Sequence, residues 1–458
     1  MNRTVVLNVV GLTRSLIGEE MPAIRKLIER GSCHSVKPSF PAVTCTAQST
    51  YLTGQKPEVH GIVGNGWYDR ESAEVKFWKQ SNQIVQAPKL WDELKAMDPD
   101  FTCAQLFWWY NMYASVDYSI TPRPMYPADG RKVFDIYTGP LSLREAIKAD
   151  LGEFPFASFW GPRADIASSQ WIAESAKWIE ERYSPTLNLV YLPHLDYNLQ
   201  RYGVSDPRIK KDLVEIDKVV GELTNFFDQR GVAIVVLSEY GIEDVNTPIH
   251  LNRIFRKKGW LSIKDELGLE QLDCGASQAF AVADHQVAHV YINDPSIKCA
   301  MRETLEQCAG VDQVLDRAQQ QAWGLDHQRS GDYVVIAKSG AWFTYYYWED
   351  DALAPDFARC IDIHRKPGYD PCELFMDPTI QFPLLKVAKF LIKKKIGLRG
   401  LLDVIPLDAE LVGGSHGRIP DDKADWPVLI LPNKMEGQTG SLDSSQVYST
   451  LINCMTQH

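Results

Sequence analysis

The chain has 458 residues and a formal net charge of -11, from 48 Lys and Arg against 59 Asp and Glu. That balance excludes nucleic acid as the main partner, because such proteins present a basic face to the phosphate backbone. Nine cysteines in an odd, scattered set without a CxxC pair exclude a disulfide framework and a thiolate zinc site, and read as the reduced thiols of a cytoplasmic protein.

Residues 4–10, TVVLNVV, form an apolar, β-branched run that predicts a buried strand rather than the core of an export signal. A helix follows at Pro22–Arg30, stopped by Gly31, and then an edge strand at 33–37. Pro41 fixes φ ahead of a polar, small-residue stretch, Thr44–Thr53, which reads as a helix ended by Gly54. Thr44 then stands at a helix N-terminus, where unpaired N–H groups and the dipole favour an anion. A threonine there would by itself be an ordinary N-cap. The strand at 102–107 runs into the aromatic stretch Phe107 to Tyr113, which suits a site border or a plain core.

Further along, strands are predicted at Leu187–Leu192, Ala233–Leu237, Tyr333–Ala337 and Val428–Leu431, with a helix over 207–229. Strands alternating with helices imply an α/β fold, a mostly parallel sheet covered on both faces, with ligands beyond the strands' carboxyl ends. Residues 243–326 read as an inserted cap. A second insertion, about 340–411, carries the aromatic TYYYW, predicted as a strand, and a basic amphipathic helix over 384–395. No stretch approaches the ~20 uninterrupted apolar residues of a membrane span.

The segment Phe40 to Asn65, FPAVTCTAQSTYLTGQKPEVHGIVGN, together with YLPHLDYNLQRYG and GGSHG, resembles the nucleotide pyrophosphatase/phosphodiesterase branch of the alkaline phosphatase superfamily. The resemblance implies an alkaline-phosphatase-like core at 1–242 and 327–458, enclosing the cap at 243–326. It implies that Thr44 attacks phosphorus and that Asn65 donates to a phosphoryl oxygen. Two-metal enzymes of this chemistry hold cations ~4 Å apart with Asp and His ligands. For one metal the resemblance supplies Asp196 and His416, with Gln200 where a histidine is expected. For the other it supplies Glu239 as a substitute, with Tyr240 and Val10 where a histidine and an aspartate are expected.

Other clusters are candidates to replace the missing ligands. Asp362 and His364, two apart in an extended segment, would point the same way and are taken as possible metal ligands. Asp284, His285 and His289, and Asp326 with His327, are read as polar pairs in loops or, for His289, as a satisfied core residue. His60 and His194 are assigned to packing and hydrogen bonding, and Arg329 and Asp332 to the scaffold. The function expected is a metal-assisted phosphodiesterase or pyrophosphatase acting on a small phosphorylated substrate. The cofactor is one or two divalent ions, zinc ahead of manganese. The rival is an inactive relative that binds a phosphorylated or prenylated metabolite. Lys386, Lys389, Lys393, Lys394 and Lys395 allow a weak peripheral contact with anionic lipid.

Overall fold

The computed structural model describes residues 1–398, 400–433 and 440–456. Nine strands form the central sheet in the order Leu442–Asp443, Ser32–Lys37, Val428–Leu431, Ala233–Leu237, Thr4–Val9, Leu187–Leu192, Cys103–Leu106, Tyr118–Pro122 and Ile136–Gly139. The five from Ala233–Leu237 to Tyr118–Pro122 are parallel, with Val6 level with Leu189 on one side and Val235 on the other. Val428–Leu431 and Ile136–Gly139 run antiparallel to their neighbours. The parallel strands are mostly apolar because helices cover both faces, with Gln105 and Asn188 among their buried polar residues. Asn8 is a buried polar exception in TVVLNV.

Helix Pro22–Arg30 packs on Ile209–Asp228, where the Asp217 carboxylate accepts from the N–H groups of Ala23 and Ile24 at 2.9 Å. Two first-turn donors are thereby satisfied. Ile166–Tyr183 lies beside Ile209–Asp228, while Thr44–Thr53 packs on Gln446–Thr456, which also meets Leu90–Met97.

Three expectations change. The strand Ser32–Lys37 is flanked on both sides, so it is not an edge; the two-residue strand Leu442–Asp443 covers it. Tyr333–Ala337 leaves the central sheet and joins a second, antiparallel one, ordered Ala279–Asp284, Val287–Ile292, Tyr333–Ala337, Val311–Leu315. A continuous apolar run is the same signal in either sheet when both faces are buried. A second apolar core forms around this sheet. The aromatic TYYYW is not a strand: pairing stops after Ala341–Phe343, and Tyr345, Tyr346, Tyr347 and Trp348 fill the second core. No helix among the described residues is long and apolar enough to cross a membrane.

Candidate active site

Residues beyond the carboxyl ends of Leu187–Leu192 and Ala233–Leu237 reach helix Thr44–Thr53, Tyr51 Oη donating to the Ser238 carbonyl at 2.8 Å and Asp196 joining through Tyr240. The N-cap of that helix is Val43, in extended conformation, so Thr44 is its first helical residue and its hydroxyl makes no cap bond. Thr44 Oγ1 instead lies 3.2 Å from Tyr240 Oη. Tyr240 donates to Asp196 Oδ1 at 3.1 Å, and Gln200 Nε2 donates to Asp196 Oδ2 at 2.8 Å. Asp196 and Gln200 share one face of helix His194–Tyr202 at i, i+4 spacing. Tyr369 donates to Gln200 Oε1 at 2.7 Å and so turns the amide NH2 toward Asp196. Burial pushes the Asp196 carboxyl up to about 6 against the pull of its two donors.

Glu239 stands behind this chain. Its Oε1 accepts from Asn8 Nδ2 at 2.6 Å and Gln48 Nε2 at 2.5 Å, while Oε2 is buried without a partner. Burial raises its carboxyl to about 8. Gln48 Oε1 in turn accepts from the Trp109 N–H at 2.7 Å.

On the other side of Thr44, Asn65 Oδ1 accepts the Cys45 N–H at 3.0 Å, an otherwise orphaned first-turn donor. Asn65 Nδ2 donates to Asp284 Oδ1 at 3.0 Å, and the Asn65 N–H to Asp284 Oδ2 at 2.7 Å. His285 Nδ1 also meets Asp284 Oδ1, at 2.9 Å. Four rings then stack in the order Tyr240, His416, His285, Tyr369, with centroids 3.6, 3.7 and 3.6 Å apart. His416 Nδ1 faces the Ala42 carbonyl at 2.7 Å, which assigns the proton to Nδ1 and leaves Nε2 with its lone pair. Burial holds both imidazoles well below their ordinary pKa, hence neutral.

The glycines of GGSHG let this happen. A Cβ at Gly414 would come within 2.1 Å of the Leu199 carbonyl oxygen, and the Gly413 N–H donates to the Gln200 carbonyl at 3.0 Å. His416 is thus carried directly against the helix that bears Asp196.

Thr44, Asn65, Asp196, Glu239 and His416 therefore gather in one buried cluster. Asp362 and His364 do not join it through any hydrogen bond or ion pair among the described residues. The Asp362 N–H goes to Glu373 Oε1 at 2.9 Å, and His364 Nδ1 faces the Phe77 carbonyl at 3.5 Å. Asp326 pairs with Arg317 at 3.2 Å and His327 with Gln86 at 3.0 Å. His289 is a core residue between Val63 O and the Gly331 N–H, and Arg329 braces the carbonyls of Gly61 and Ile84. Asp284 and His285 belong to the site itself, as do Tyr369, Gln48 and Asn8. Asp284 and His285 are visible in the sequence as a polar cluster that reads there as a loop pair, and Asn8 leaves the signal of a polar residue amid a buried apolar strand.

For two cations the donor set does not fit. Val10 offers no ligand, Tyr240 a neutral phenol and Gln200 an amide, and the last two spend their protons on Asp196. Of the two-metal ligand positions the resemblance marks beside Asp196, only the Nε2 of His416 joins its carboxylate to serve one cation; Glu239, Asp284 and His285 stand in the same cluster outside that pair. Among the described residues, the one group of three His, Asp or Glu ligand atoms within 4.8 Å of one another lies elsewhere, at His194, Asp212 and Glu215. There His194 Nε2 sits 3.3 Å from Asp212 Oδ1 and 3.2 Å from Glu215 Oε2.

The profile of type I phosphodiesterases/nucleotide pyrophosphatases matches residues 4–370. The chain belongs to this family. An uncharacterized pyrophosphatase/phosphodiesterase of Schizosaccharomyces pombe is 27% identical over 231 residues, 48% of this chain but 40% of its own length, so the chain matches under half of that relative. Among solved structures, phosphonoacetate hydrolase from Sinorhizobium meliloti, in complex with phosphonoformate, superposes with a TM-score of 0.63 at 14% identity, covering 99% of this chain and 96% of its own. Murine ectonucleotide pyrophosphatase/phosphodiesterase 5, inactive and in complex with AMP, gives 0.60 at 13% identity, covering 99% and 95%. These structures share the fold of the phosphodiesterase family core found here.

Proposed function

We propose that this chain hydrolyses small phosphodiesters or pyrophosphates through Thr44. One observation carries the reading: a threonine hydroxyl at a helix N-terminus, not used for capping, hydrogen-bonded to a tyrosine that is itself bonded to a buried carboxylate. As Thr44 attacks phosphorus, its proton passes to Tyr240 Oη while the Tyr240 proton passes to Asp196 Oδ1. The P–O bond to the leaving group breaks, its oxygen departs as the anion and is protonated by solvent, and the phosphoryl group remains esterified to Thr44. Water then attacks the same phosphorus; as the P–O bond to Thr44 breaks, the proton held on Asp196 returns through Tyr240 to Thr44 Oγ1, and the proton lost by the water goes to solvent. One N–H of Asn65 Nδ2 is held by Asp284, and the second is available to a non-bridging oxygen.

The ligand positions that survive of the two-metal set suit a single divalent cation, zinc first. Asp196 and His416 would hold it, and there it would withdraw charge from a phosphoryl oxygen. The half-buried rings of Trp78 and Trp109, with centroids 4.7 Å apart and planes tilted by 38°, cluster with the edge-on ring of Tyr369 and offer aromatic surface that suits an aromatic leaving group or base. The nine cysteines are all unpaired thiols, which supports a reducing, cytoplasmic setting.

Hydrolysis of bis(4-nitrophenyl) phosphate tests this. Thr44→Ala should lower kcat/KM by about 10³-fold with an unchanged Tm; equal rates would overturn the proposal. The donors on Asp196 favour a second reading, in which the pocket binds a phosphorylated ligand without turnover. A protein that binds phosphate esters in calorimetry and hydrolyses none would establish it.

A further inference from the structure

The helix Pro383–Lys395, PLLKVAKFLIKKK, contains five lysines and no acidic residue, in a chain whose net charge is -11. At 100° per residue, Leu384, Leu385, Ala388, Leu391 and Ile392 fall in one arc of about 120°, into which Lys395 also falls in the last turn. That stripe faces away from the protein. Leu384 and Leu385 expose 82% and 66% of their surface, and Leu391 and Ile392 expose 55% and 62%. Val387 and Phe390 lie outside the arc and are half-buried. Lys386 ties the helix to the body through Asp403, at 2.8 Å to its carboxylate and 2.6 Å to its carbonyl. Phe382, Ile396, Leu398 and Leu401 extend the exposed apolar surface beyond both helix ends. The side chain of Lys394 lies outside the described residues.

We propose that this helix is a membrane-surface anchor, laying its leucine and isoleucine stripe into the headgroup boundary of an anionic bilayer while Lys389, Lys393 and Lys395 meet lipid phosphates. An amphipathic helix with an apolar stripe and a basic polar face lies in the interface plane rather than across it. Charge chooses the occupant. Pairing with a second copy would set two lysine-rich helices together with no acid on either to compensate them. An anionic surface satisfies the stripe and the lysines at once. The more acidic remainder of the chain is repelled by the same surface, so contact is confined to this patch and the protein is held in one orientation. The insertion that bears the helix also supplies Tyr369 to the catalytic cluster.

Vesicle co-sedimentation of the full chain tests this, with phosphatidylcholine alone and with a mixture containing phosphatidylglycerol, at about 50 mM and about 500 mM salt. Binding should be at least ~10-fold greater on the anionic vesicles and weaken at the higher salt. The pair Leu391→Glu and Ile392→Glu should abolish it. The pair Lys389→Glu and Lys393→Glu should remove the anionic preference, both with unchanged Tm because these positions are exposed or half-buried. No binding at low salt, or wild-type sedimentation by the leucine-isoleucine pair, would overturn the proposal. So would a lipid-free dimer that the same pair dissociates, since the stripe would then be covered by a second copy.

Discussion

Tyr240 occupies a position where the family resemblance leads one to expect a metal-binding histidine, and its hydroxyl is the only link between Thr44 and Asp196 seen among the described contacts. Replacing it with phenylalanine keeps the ring that stacks on His416 and removes the proton path. Tyr240→Phe should therefore lower kcat by about 10²-fold while leaving KM within about twofold, because general acid-base catalysis acts on the transition state. A KM increase with constant kcat would show that Tyr240 binds substrate instead. The same site limits the cation. After loading with excess zinc and desalting, wild-type protein should retain at most one equivalent at the Asp196 and His416 pair, and Asp196→Asn should lower that content. Undiminished zinc in Asp196→Asn would move the cation to another group, with His194, Asp212 and Glu215 the first to examine. Thr44, Asp196 and His416 were legible because each sits in a sequence motif. Tyr369 was not, because its role arises from a hydrogen bond to Gln200 across 169 residues of chain, and no local pattern encodes that.

At the level of elements, the uninterrupted apolar strands and the Pro-start, Gly-stop helices were readable because local chemistry alone specifies them: Pro22–Arg30, Thr44–Thr53, Leu187–Leu192 and Ala233–Leu237 form over the residues expected. Sheet membership was not readable for Tyr333–Ala337, since burial on both faces erases the alternation that would distinguish one sheet from another. GGSHG shows the opposite case, a short motif whose glycines have a packing reason visible only in three dimensions. Gly414→Ala would drive a methyl into the Leu199 carbonyl, so either the loop or the helix of Asp196 must shift. The cost should be about 2–3 kcal/mol, as for overpacking elsewhere. It is measured as a lower urea midpoint with an unchanged m-value, and His416 displacement should reduce activity beyond the stability loss. An unchanged midpoint would mean that the close approach relaxes freely.

The molecule is built around two large apolar cores, and buried histidines brace residues 40–65 internally and against the second of them. His60 Nε2 meets Thr50 Oγ1 at 3.1 Å on helix Thr44–Thr53, and its Nδ1 accepts the Ile62 N–H at 3.1 Å. His289, on the second sheet, donates from Nε2 to the Val63 carbonyl and accepts the Gly331 N–H at Nδ1. Burial lowers the pKa of His60 to about 3, with His327 and Arg329 nearby adding to the effect, and that of His289 to about 4, where Asp284 opposes and Arg317 reinforces the shift. A folded pKa below the unfolded value near 6.5 means that the neutral form is the one the fold accepts. Its stabilising contribution is complete above pH 6.5 and is lost as pH falls through 4, by up to about 3 kcal/mol for His289. Tm should accordingly fall between pH 6.5 and 4. His289→Gln retains a donor and an acceptor but cannot take up the proton. Its Tm at pH 7.5 should be lower than wild type, because the amide fits the gap between Val63 and Gly331 less well, and its decline toward pH 4 should be shallower. Parallel Tm profiles in calorimetry would place the acid sensitivity elsewhere and remove His289 as the titrating brace.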